Sequence, residues 1–124
     1  MRQMLLVGLG GFVGSVARYG ISALLVPLAP GGFPWGTLLV NLSGSFAIGV
    51  VLAAAVERAW LAPDVRLLLA AGLCGGFTTM SSFSFETWAL LEQGLFGLAA
   101  GYVTVTLLGC LIATWSGIAL IRLM

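Results

Sequence analysis

The chain has 124 residues, of which 60% are hydrophobic and 7% charged, with a mean hydropathy of +1.15 and a formal net charge of +1. Five arginines and four acids, without lysine or histidine, cannot cover a water-facing globule of this size, and so small a charge leaves no footprint for nucleic acid. The composition describes an all-α membrane protein, and residues 1–124 form one transmembrane domain of about four helices at about 20 residues per crossing.

The first apolar segment runs from about Met4 to Val26. It begins with a basic residue and an apolar run, but no clean cleavage context follows and Arg18 interrupts it, so it reads as a retained first helix. Gly10, Gly14 and Arg18 fall at steps of four and share one face, where the glycines let another backbone approach closely. A nucleotide fingerprint fails here, because Val13 stands where the third glycine belongs. A cation at membrane depth needs a partner, a cavity or the headgroups. Glu86 is the intramembrane partner for Arg18, or else the two mark vestibules of a pathway.

The stretch PLAPGGFP, Pro27 to Pro34, ends the first helix, and the second runs from Trp35 to Val56. Asn41, Ser45, Gly49 and Ala53 form a small or polar stripe along it. The Asn41 amide offers two N–H donors without a net charge, suited either to replacing part of an anion's water shell or to an interhelical hydrogen bond. A short connection with Glu57, Arg58, Asp64 and Arg66 follows. Four spanning helices place Arg2, Arg58, Arg66 and Arg122 on the side shared by both termini, and the opposite loops carry no basic residue. The positive-inside rule therefore puts both termini in the cytoplasm.

The third segment, from about Leu67 to Leu91, contains GLCGGFTTMSSFSFE, with five hydroxyl side chains and a carboxylate in an otherwise apolar chain. Gly75 and Gly76 followed by Thr78 and Thr79 disfavour a regular helix, so a break is expected there. A broken membrane helix offers carbonyls at one end and N–H groups at the other, which hold a cation or an anion respectively. Phe83 lies three residues after Met80, on the same side of a helix, and its ring has a positive edge. The fourth segment, from about Phe96 to Ile121, carries Tyr102, Thr106, Cys110 and Thr114 at steps of four, a weakly polar track. Its glycines at 97, 101, 109 and 117 suggest close helix contacts. Cys74 and Cys110 are far apart and without histidine, so neither a redox pair nor a zinc site is expected.

Three motifs, GGFVGSVARY at Gly10 to Tyr19, GTLLVNLSGSF at Gly36 to Phe46 and GLCGGFTTMSSFSFE at Gly72 to Glu86, resemble in order and spacing those of the fluoride channels known as Fluc or CrcB proteins. The resemblance covers essentially the whole chain. It implies a multi-pass protein of the cell inner membrane: a dual-topology dimer of antiparallel four-helix subunits, the third helix broken, with fluoride pores and a structural sodium ion. By motif position the sodium ligands are the backbone carbonyls of Gly75 and Thr78 from each subunit. The anion pathway comprises Asn41, Met80, Ser81, Ser82, Phe83, Tyr102, Thr106 and Cys110, with Arg18 and Glu86 in vestibule or support positions. Two features depart from the family. Met80 stands where the first of two phenylalanines is usual, and Ser82 where threonine is common. The arginine bias also sits uneasily with insertion in both orientations, so the partner is either a second copy of this chain or a paralogous subunit.

The alternatives differ in what they require. A small proton-coupled multidrug transporter needs a carboxylate in its first helix, and there is none here. A non-transporting scaffold would pass no ion. No nucleophile, base and orienting group come together in the sequence, so no enzyme is expected.

Overall fold

The computed structural model describes residues 1–25 and 32–124. Among these, four helical spans are long and apolar enough to cross a membrane: Arg2–Leu25, Trp35–Val56, Pro63–Glu92 and Phe96–Leu123. The first span starts two residues earlier than its periodicity suggests, the second agrees at both ends, and most of the proline-glycine stretch lies outside the described residues. The third span starts earlier than expected because Pro63 opens it at the first helical position, where a missing N–H has no consequence. Between the third and fourth spans Gly94 takes a φ of +74°, a left-handed turn that a side chain would strain.

The third span is interrupted as predicted, but not at its glycines. Gly75 is helical, with φ −63° and ψ −38°. The chain becomes extended at Thr78 (φ −74°, ψ 156°) and Thr79 (φ −148°, ψ 115°), and the helix restarts at Met80. Two consecutive β-branched residues favour extended backbone, and the Thr79 hydroxyl then caps the new helix by accepting from the Ser82 N–H at 3.2 Å. Leu67–Cys74 winds as a π-helix, which the sequence does not announce because LLLAAGLC is apolar on every side.

Small residues set how the spans meet. Gly10 lies against the Leu68 carbonyl and Gly72, Gly14 against the Leu73 carbonyl, and Gly76 against the backbone of Gly11, so the first and third spans touch backbone to backbone. Gly49 against the Thr114 carbonyl and Gly117 against the Phe46 carbonyl do the same for the second and fourth. Gly109 meets the Leu42 side chain. Gly97 and Gly101 are a correction: a side chain there would meet nothing within 4 Å in this subunit, because both lie on its exposed face.

Two apolar clusters fill the interior, one of Leu38, Phe83, Leu90, Ala99 and Tyr102, the other of Ala53, Ala54 and Ile121. At the end shared by the termini, Arg122 grips Glu57 through two hydrogen bonds of 2.8 and 2.6 Å, and Arg2 pairs with Asp64 at 2.5 Å. Arg58 donates to the Ile121 and Arg122 carbonyls at 3.2 and 2.9 Å, closing the last turn of the fourth span.

Candidate ion pathway

Two neighbouring side chains hold the break open. Asn41 clamps the backbone of Thr79 at two points: its Nδ2 donates to the Thr79 carbonyl at 3.1 Å, and its Oδ1 accepts from the Thr79 N–H at 2.8 Å. In a continuous helix that N–H would close the Gly75 carbonyl, and the Ser82 N–H would close Thr78. The first is taken by Asn41 and the second by the Thr79 hydroxyl. The two carbonyls singled out as cation ligands are therefore among those that lose their helical donors at the break. Cys74 differs, since its carbonyl accepts from both the N–H and the hydroxyl of Thr78 at 3.0 Å. Among the described residues no cluster of three or more His, Cys, Asp or Glu side chains could hold a metal, so a cation here would rest on backbone oxygens.

Arg18 ends at this same break rather than at Glu86. Its Nε donates to the Gly76 carbonyl at 3.2 Å, and Ser15 Oγ donates to the same oxygen at 3.3 Å. Of the alternatives open for Arg18 in the sequence, the pair with Glu86 is therefore not formed within this subunit. A guanidinium at the carbonyl end of a half-helix is stabilised by the helix dipole, which provides the partner that a cation at depth requires. Glu86 instead accepts from Thr37 Oγ1 at 2.6 Å and from the Tyr102 hydroxyl at 2.7 Å, one donor on each carboxylate oxygen. Tyr102 is 0% exposed, and its ring lies 5.1 Å from that of Phe83 and 5.4 Å from that of Phe33. Two short hydroxyl donors and an aromatic wall keep this carboxylate away from lipid.

Beside the break lies a cavity of about 570 Å³, lined by the second, third and fourth spans. Asn41, Gly75, Thr78, Met80, Phe83, Thr106 and Cys110 all border it. Thr106 is 4% exposed, and its Oγ1 has no hydrogen-bond partner among the described residues. The usual resting place of a threonine hydroxyl in a membrane helix, the carbonyl one turn earlier, is used by Thr104 and Ser116 but not by Thr106. Asn41 spends one amide N–H on Thr79 and has a second to offer. The cavity thus presents neutral donors between apolar walls.

The family model described as CrcB-like protein, Camphor Resistance (CrcB) matches residues 5–118. The chain belongs to the CrcB family. Curated relatives agree over its whole length. A fluoride-specific ion channel FluC of Anaeromyxobacter sp. (strain K) is 49% identical over 98% of this chain and 97% of its own. That of Anaeromyxobacter dehalogenans (strain 2CP-1) is 50% identical over the same shares, and that of Chlorobaculum tepidum is 48% identical over 99% and 97%.

Set on this CrcB-family fold, the residues singled out from the sequence divide into two groups. Asn41, Met80, Phe83, Thr106 and Cys110 come together on the cavity, with Gly75 and Thr78 at its edge by the break. Ser81, Ser82 and Tyr102 do not border it. Ser81 and Ser82 gather around the Thr79 hydroxyl at 3.2 and 3.1 Å, while Tyr102 serves Glu86. Met80 is 66% exposed in the single subunit. Thr37 escaped the sequence reading, although extending the Asn41–Ser45 stripe one step of four toward the N-terminus would have found it. Thr114 also borders the cavity but donates to the Ser45 carbonyl at 3.1 Å.

Proposed function

We propose that this chain is a subunit of a fluoride-selective channel that lets fluoride leave the cytoplasm passively across the inner membrane. The observation that carries the reading is the cavity: Asn41 with a spare N–H, Thr106 with an unpartnered hydroxyl and the Phe83 ring border it from three different spans. Fluoride is small and strongly hydrated, so a narrow path needs several neutral donors in sequence rather than one tight cationic trap. Arg18 is consistent with this, because its charge is spent on the Gly76 carbonyl. Whole-chain similarity to proteins named fluoride-specific ion channels points the same way. A potential that is negative inside drives each fluoride outward by about 2.3 kcal/mol per 100 mV, so neither ATP nor a coupled ion is needed.

The working unit in this reading is an antiparallel dimer. An orphaned hydroxyl and backbone carbonyls without their helical donors are costly against hydrocarbon, and a second subunit over the cavity and the break would cover both. The carbonyls of Gly75 and Thr78 from two subunits would surround a structural sodium ion, since a hard cation suits an all-oxygen ligand set. Sodium would supply positive charge that holds the two breaks together. A proton-coupled transporter finds less support, because the one carboxylate placed deep among the spans, Glu86, is already engaged by two hydroxyls.

The experiment is fluoride efflux from liposomes containing the purified protein, read with a fluoride electrode. Efflux is expected from the unchanged protein and not from Phe83→Ala. Equal efflux from both would remove Phe83 from the pathway, and none from either would contradict the channel reading.

A further inference from the structure

A second hollow, sharing no lining residue with the ion cavity, lies between the first and third spans. It is an open groove of about 400 Å³, lined by Gln3, Met4, Val7 and Gly8 of the first helix and by Leu67 of the third span. The four helical residues are spaced so that they form one face. A side chain added at Gly8 would meet nothing within 4 Å, so the floor of the groove is open there. Two residues further on, Gly10 meets the Leu68 carbonyl and the spans touch backbone to backbone. From Gln3 to Gly8 the groove descends about 8 Å at 1.5 Å per residue. Because Arg2–Leu25 is a membrane span, this groove faces acyl chains and its mouth faces headgroups.

Each wall of the groove begins with an arginine: Arg2 directly precedes Gln3, and Arg66 directly precedes Leu67. The two are used differently. Arg2 pairs with Asp64 and cancels that carboxylate, whereas the exposed Arg66 guanidinium has neither hydrogen bond nor ion pair among the described residues. The mouth therefore keeps one uncompensated positive charge above an apolar trough. Basic pockets of this kind between membrane helices take acidic lipid headgroups. We propose that the groove binds one anionic phospholipid per subunit, with an acyl chain along Met4, Val7, Gly8 and Leu67 and the phosphate on Arg66.

Charge complementarity selects this occupant. An apolar helix laid in the groove would leave the Arg66 charge unmet, whereas a phosphate meets a guanidinium through two parallel hydrogen bonds. A zwitterionic lipid fills the trough equally well but brings its own cation to the arginine. So seated, the anionic lipid braces the start of the third span against the first, the same two helices whose backbones touch at Gly76 and Gly11 beside the break. The proposal needs only the membrane spans and is tested without ion flux, so it stands or falls apart from the fluoride reading.

The test supplies purified protein in detergent with equal amounts of phosphatidylglycerol and phosphatidylcholine of identical acyl chains, and weighs the lipids retained on the intact protein by native mass spectrometry. Phosphatidylglycerol should be retained about fivefold over phosphatidylcholine, the effect of one unpaired arginine near a headgroup. Arg66→Gln should bring that ratio to about one, while Arg66→Lys keeps most of it. Gly8→Leu, which fills the open floor, should lose retained lipid of both kinds. Melting curves in lipid-free detergent show that each variant is folded. Equal retention of the two lipids by the unchanged protein would overturn the proposal, as would a ratio indifferent to Arg66→Gln or lipid retention indifferent to Gly8→Leu. An equal fall with Arg122→Gln, whose charge is already engaged by Glu57, would also overturn it by showing a diffuse charge effect. A bound polypeptide mass that Gly8→Leu removes would overturn the choice of lipid.

Discussion

Two polar groups within the membrane spans of this chain, Glu86 and Thr106, are treated in opposite ways. Glu86, the costlier of the two to bury, is closed on itself by Thr37 and Tyr102. Thr106, one turn beyond Tyr102 on the fourth span, is buried more fully and borders the cavity, yet its hydroxyl has no partner among the described residues. The first arrangement holds helices together. The second leaves hydrogen-bonding capacity for something that is not part of the subunit, and that contrast separates scaffold from pathway.

Asn41 belongs to both regions, so its substitution has the largest expected effect. Asn41→Leu leaves the Thr79 N–H and carbonyl without their side-chain partner, each costing on the order of 1–3 kcal/mol, and also removes the spare donor. Both thermal stability and fluoride efflux should collapse; efflux within tenfold of the unchanged protein would show that the clamp is dispensable. Glu86→Gln tests the closed region. An amide cannot accept from both hydroxyls through two oxygens, so unfolding should become easier by about 1–3 kcal/mol, seen as a lower melting temperature. An unchanged melting temperature would mean the cluster does not support the fold.

Thr106→Val sharpens the comparison most, because it separates the two properties. Replacing an unsatisfied hydroxyl by a methyl group of similar size should leave stability unchanged or raise it by about 1 kcal/mol, while fluoride efflux falls roughly tenfold. A loss of stability with normal efflux would assign Thr106 to packing instead. The smallest effect is at the exposed end. The hydrogen bond from Arg122 holds the Glu57 carboxyl below its ordinary value of 4.5, so the pair's slight contribution is complete above that pH and fades as acid takes Glu57 through its lowered value. Arg122→Gln should flatten that acid-side decline of the melting temperature.

Much of this architecture was legible because the bilayer imposes it: four apolar stretches, polar stripes at steps of four, and a glycine-threonine segment incompatible with an unbroken helix. Asn41 stood out on a stripe of small and polar residues and Thr106 on a weakly polar track, whereas Phe83 gained its role only through the family resemblance. Other features depend on which helices touch. Charge alone offered Glu86 as one partner for Arg18, whereas a carbonyl at the broken helix end is what satisfies the guanidinium. Gly97 and Gly101 looked like contact residues because glycine content does not reveal which face is covered. The break fell two residues past the glycines because β-branching and an available Asn41 clamp, rather than backbone freedom, decide where the helix parts.

The most direct test of the central claim compares two anions in the same vesicles. Liposomes loaded with fluoride and chloride, and given an outward path for potassium, should lose fluoride through the purified protein while retaining chloride. Parallel loss of both anions, or retention of both, would contradict the account.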